Sequence, residues 1–193
     1  MKNNLRSWTV ITLAVIMAMA MTFTLAGCGQ SGQEQPEEPA QEEEPAVGMP
    51  NPWSDVATAE EAAEGAGVET FECAGIETSL GTTEPEVYRW MKGLAEAQFP
   101  IAAVDMTIRK GTDALTDVAE GDISGDYNEY KYTWTQDVDG TEVTCSGNRK
   151  GESTKTLWSK NGYYYSISAF GAGGDDDFGL SEDDVKALVS GVK

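Results

Sequence analysis

Two dipeptides constrain this chain's fold more than any other feature: Asp139-Gly140 and Asn161-Gly162, each set between stretches where apolar and polar residues alternate. Asp or Asn followed by Gly accepts positive φ in a two-residue turn, the geometry whose twist matches two antiparallel strands. Residues 130–138 and 141–147 are therefore predicted to form one hairpin, and residues 154–160 and 163–170 another. In the last arm Tyr164 and Ser166 share one face, Tyr165 and Ile167 the other. Upstream, period-two patterning over 68–76, 87–91, 94–99 and 102–109 predicts four further strands, with Gly93 at a turn. A turn-rich interlude, 111–128, separates the two groups. It holds a predicted helical turn at 114–118 and the run Asp122-Ile123-Ser124-Gly125-Asp126-Tyr127, whose side chains suit bonds to a turning backbone.

Helices bracket the strands. Thr58-Ala59-Glu60-Glu61 fits a capping box, opening a short helix with a small apolar face (Val56, Ala59, Ala62, Ala63) that Gly65 and Gly67 end. Ser181, with Asp184 three residues on, caps a second helix running to about Ser190. The order helix, strands, irregular crossover, strands, helix predicts an α+β fold. Its mainly antiparallel sheet has about 7–8 strands, with an N-terminal and a C-terminal helix packed on it. Trp90, Trp134 and Trp158 fall on strands and fit as filling between sheet and helices; a tryptophan-lined ligand groove is the alternative.

Before this domain the chain has a different character. Lys2 and Arg6 precede an apolar or threonine stretch over 8–25, which ends in Leu25-Ala26-Gly27-Cys28. That is a lipobox, the pattern that the bacterial lipoprotein signal peptidase cuts before the cysteine. The expectation is a cleaved signal peptide over 1–27 and lipidation of Cys28 by diacylglycerol, which would hold the mature protein on the extracytoplasmic face of the cell membrane. An uncleaved membrane-spanning helix is the alternative. Residues 29–50 carry six glutamates, no base and no aromatic, too little apolar surface to fold, so 28–50 reads as a disordered acidic stalk. Asn51-Pro52-Trp53 marks where the chain first docks on a single domain spanning 51–193.

Composition excludes several functions. Removing Lys2 and Arg6 with the signal peptide leaves 11 bases against 33 acids, a formal charge of −22, which repels nucleic acid. The chain has no histidine, so serine-histidine and cysteine-histidine hydrolysis are out. Cys73 and Cys145 remain after lipidation; outside the membrane such an even pair is expected to form a disulfide, with two separate buried thiols as the alternative. The acidic runs Asp137-Val138-Asp139-Gly140-Thr141-Glu142 and Asp175-Asp176-Asp177 resemble parts of a calcium site, but turn and helix-dipole roles account for them as well. No metal or cofactor is expected.

A family resemblance adds to this. The lipobox, the acidic stalk, Asn51-Pro52-Trp53, Glu60-Glu61-Ala62-Ala63, Ile108-Arg109-Lys110, Asp122 to Tyr127, Trp158 and Tyr163-Tyr164-Tyr165-Ser166-Ile167-Ser168 together resemble small uncharacterised lipoproteins of Gram-positive anaerobes. The closing hairpin and terminal helix are also similar to an extracytoplasmic domain at the C-terminus of some anti-sigma-factor-like membrane proteins. The resemblance implies an envelope location and a non-enzymatic domain, and it brings no catalytic residues; Cys73 and Cys145 are not part of its pattern. The expected function is a membrane-anchored, sensor-like module that binds an envelope protein or cell-wall component. The alternative is a lipoprotein that binds a solute or cation and serves a transporter.

Overall fold

In a computed structural model of the chain, described over residues 51–112 and 121–193, β1 (Ser54–Val56) leads into α1 (Ala59–Ala66). A small hairpin follows, β2 (Glu77–Thr78) and β3 (Gly81–Thr82), then the meander β4 (Val87–Met91), β5 (Leu94–Ile101) and β6 (Val104–Gly111). A second meander, β7 (Tyr132–Val138), β8 (Thr141–Gly147), β9 (Lys155–Lys160) and β10 (Tyr163–Gly171), precedes α2 (Glu182–Gly191). Eight of these strands form one sheet in the order β1-β4-β5-β6-β10-β9-β8-β7, and β2 and β3 form a second. Every neighbouring pair is antiparallel. The fold is α+β, as the element order implied.

The predicted turns form as their chemistry requires. Asp139 and Gly140 have φ of 52° and 82°, Asn161 and Gly162 of 53° and 81°. Thr58 caps α1 by accepting from the Glu61 N–H, and Ser181 caps α2 by accepting from Asp184.

Register gives the sheet two unlike faces. One carries Ala97, Phe99, Met106, Ile108, Ile167, Ala169, Val143 and Cys145, all buried in the core together with α1 and α2. Tyr165 stacks on Trp158 across β10 and β9, ring centroids 5.0 Å apart. Trp90 packs on α1 at Gly65, where a Cβ would meet three atoms of its indole ring well inside 3.0 Å. All three strand tryptophans thus sit in or against the core, which is the packing role expected of them.

Residues 68–76, predicted as a strand, are not one. They cross the core face as an irregular passage, which buries Phe71 and Cys73 and so shows a period of two without joining the sheet. Their backbone partners lie elsewhere. Glu72 exchanges both backbone hydrogen bonds with Lys193, Thr70 O accepts from Lys110 Nζ at 2.7 Å, and Cys73 O accepts from the Thr83 hydroxyl at 2.8 Å. The β2–β3 hairpin that follows is tied to α2 through Asp184, whose carboxylate accepts from Ser79 N at 2.6 Å and Ser79 Oγ at 2.7 Å. The helical turn predicted at 114–118 lies outside the described residues, as do the proposed signal peptide, Cys28 and the stalk.

Candidate functional site

The second face of the sheet is polar and centred on Glu96. This β5 side chain is 0% exposed, yet it bonds Arg89 of β4 at 2.5 Å, Arg109 of β6 at 2.6 Å and Gln98 at 2.8 Å. The register sets the three charged residues side by side, Arg89 opposite Glu96 and Glu96 opposite Arg109. Trp53 lies over both guanidinium groups, 4.4 Å from Arg89 and 5.5 Å from Arg109. Trp53 thus caps this cluster by cation–π contact, just ahead of β1, which pairs with β4.

A strap runs over the same face, and it contains the Asp122 to Tyr127 run. Asp122 accepts from Ser124 N, Ser124 Oγ and Lys155 Nζ; burial alone would raise its pKa, but those bonds outweigh it and hold the carboxyl below its ordinary range. Ile123 is buried and its carbonyl accepts from Arg109 Nη1 at 2.9 Å. Gly125 has φ of +68° and lies so close to the Arg109 guanidinium that a Cβ would collide with it. Asp126 accepts from Asn128 N and, at 2.5 Å, from the Tyr130 hydroxyl, which burial and this carboxylate push to a raised pKa. Tyr127 projects outward, 94% exposed. The strap is thus a clamp on Arg109 and Lys155. Beside it is an open depression of about 500 Å³, whose lining includes Asp122, Glu142, Thr144, Leu157, Trp158 and Tyr164.

A larger groove, about 740 Å³, opens on the helical side between α1 and the passage that follows it. Ala59, Ala63, Val68 and Phe71 supply apolar lining. Glu60 and Glu64, one helical turn apart on α1, stand on one side, and Glu69 and Glu72 on the other; all four are exposed. Glu72 pairs with Lys193 at 2.8 Å, whereas Glu60, Glu64 and Glu69 are in no salt bridge among the described residues. Lys110 feels the charge of Glu69, but its ammonium is withdrawn. It is buried, which lowers its pKa, bonded to the Thr70 carbonyl and 4.4 Å from the Tyr163 ring centre.

The disulfide expected between Cys73 and Cys145 is not formed, and both are free thiols in the core. Cys73 lies near Tyr88 of β4, whereas Cys145 belongs to β8 beside Ser153 and Thr156. Those strands are five steps apart in the sheet, on the order of 24 Å at normal strand spacing, and a disulfide needs Cα atoms within about 7 Å. Burial pushes the Cys73 thiol up to about 12 and raises that of Cys145.

The acidic runs have local roles. Asp137 accepts from Gly140 N at 3.1 Å in the β7–β8 turn, Asp139 accepts from the Ser190 hydroxyl of α2, and Asp175 accepts from Asp177 N. Among the described residues no three acidic or cysteine side chains are grouped to hold a metal ion, and no helix is long and apolar enough to cross a membrane. Comparison with protein-family models, with curated proteins and with solved structures finds no match to this chain.

Proposed function

We propose that this chain is a lipid-anchored extracytoplasmic lipoprotein whose folded domain is a non-enzymatic binding module for a protein or cell-wall component of the envelope. Cys28 would carry the diacylglycerol and residues 29–50 would hold the domain away from the membrane. The groove beside α1 carries the binding half of this reading. Its size falls within the ~300–1,000 Å³ of ligand clefts, and it combines an apolar lining with charged walls. Three groups elsewhere that could act chemically, Cys73, Asp122 and Asp184, are committed to structure. Cys73 is a buried thiol with a pKa near 12, a poor nucleophile, while Asp122 and Asp184 are saturated with hydrogen bonds. This reading also accords with the resemblance to small envelope lipoproteins.

The depression lined by Asp122, Glu142 and Tyr164 favours a second reading, a solute- or cation-binding lipoprotein. Thermal unfolding of the full chain in detergent micelles separates the two. The panel is lysine-rich peptides, peptidoglycan fragments, sugars, amino acids and calcium. A ligand at 100 times its dissociation constant adds about 2.7 kcal/mol, several degrees in the midpoint. A shift with peptides or cell-wall fragments supports the first reading. A shift confined to sugars, amino acids or calcium replaces it with the second.

A further inference from the structure

We propose that the groove beside α1 receives a lysine- or arginine-rich segment of a partner protein, with apolar residues set between its cations. This inference rests on the binding reading above and names the occupant. Glu60 and Glu64 on α1 face Glu69 and Glu72 on the 68–72 passage across an apolar lining, so the groove offers separated negative charge around a greasy track. Three of those carboxylates are in no salt bridge among the described residues. They are not gathered tightly enough to cage a single metal ion. Spread charge of this kind matches cations spread along a chain, and the apolar lining takes the side chains between them.

The chain itself cannot supply that segment. Residues 29–50 hold six glutamates and no base, so they offer none of the cations that the groove calls for. A second copy, with 33 acids against 13 bases in the whole chain, is no better matched. Lys193 already neutralises Glu72, and Lys110 is bonded to the Thr70 carbonyl, which leaves Glu60, Glu64 and Glu69 to meet an incoming cation.

The test is calorimetric titration of the full chain, in zwitterionic detergent micelles, with an acetylated, amidated peptide of alternating lysine and leucine. Its counterpart has glutamine in place of every lysine. The expected result is binding of the lysine peptide that weakens about tenfold in the triple variant Glu60→Gln, Glu64→Gln, Glu69→Gln, the sum expected of three exposed ion pairs. A control triple variant, Glu84→Gln, Asp105→Asn, Glu129→Gln, removes the same charge at exposed positions outside the groove and is expected to change affinity less than about twofold. Equal weakening by both triple variants would overturn the proposal in favour of bulk charge attraction. Equal binding of the two peptides, blocked by Ala59→Trp, would overturn the cationic occupant while leaving the groove as a binding site. Binding of neither peptide would overturn the cationic occupant and count against the groove itself.

Discussion

Gly65 offers the sharpest test of how α1 is seated, and with it how Glu60 and Glu64 come to flank the groove. Replacing a glycine inside a helix by alanine normally stabilises it by about 1 kcal/mol. Here the added methyl would sit inside 3.0 Å of Cε2, Cδ2 and Nε1 of Trp90, a ring packed against the core. Either the indole leaves its place or α1 moves off the sheet, and contacts this short put the overpacking cost in the upper part of its usual range, about 2–3 kcal/mol. An eight-residue helix has little stability of its own and depends on that packing. Gly65→Ala is therefore expected to destabilise the domain by about 1–2 kcal/mol after the propensity gain, measured by urea unfolding followed by circular dichroism. Trp90→Leu removes the obstructing ring. On that background the same Gly65→Ala change is expected to turn neutral or stabilising, by up to about 1 kcal/mol. A neutral or stabilising Gly65→Ala in the otherwise native chain would refute this account of how α1 packs.

Glu96→Gln leaves two guanidinium groups without their shared, fully buried counter-charge and is expected to lower stability by about 3 kcal/mol, read by the same denaturant titration. Within the strap, Gly125→Ala meets both positive φ and the Arg109 side chain, so a loss of at least about 1 kcal/mol is expected, whereas Tyr127→Ala should stay within about 0.5 kcal/mol. Burial works to raise the pKa of Asp184, but hydrogen bonds from Ser181 and Ser79 outweigh it and leave the folded value below the ordinary one. Its contribution is thus full above the unfolded pKa of about 3.9 and fades as pH falls through the lower folded value. The stability gap between the native chain and Asp184→Asn should accordingly be larger at about pH 6 than at about pH 2.5; a gap independent of pH would remove Asp184 from the acid response.

Features written in local chemistry were legible in the sequence. Residues 87–91 and 141–147 were predicted as strands and form β4 and β8 with those bounds, because turn residues punctuate both ends. The two hairpin turns and the caps at Thr58 and Ser181 follow from side chains acting within three residues. What depends on distant parts of the chain was not legible. The β6–β10 pairing that joins the meanders and the three-residue β1 carry no local signature. Residues 68–76 show strand periodicity because they bury one side against the sheet, and that pattern cannot tell lying on a sheet from lying in it. The groove was missed with them, since one wall is this passage. The Arg89-Glu96-Arg109 cluster did leave a signal. Arg89 and Glu96 fall opposite one another when counted from the Gly93 turn, but the next turn uses Ala102 at φ 56°, so the third member's register was hidden. A cysteine pair on two expected strands was no guide to distance, because pairing depends on strand order.

The anchor is the foundation of the functional account, and intact-mass and peptide mass spectrometry of the protein extracted from its native envelope tests it most directly. The account predicts a chain beginning at Cys28, carrying a thioether-linked diacylglycerol that is lost, together with membrane association, in Cys28→Ala. A chain retaining Lys2 and Arg6, or beginning at Cys28 with an unmodified thiol, would contradict it.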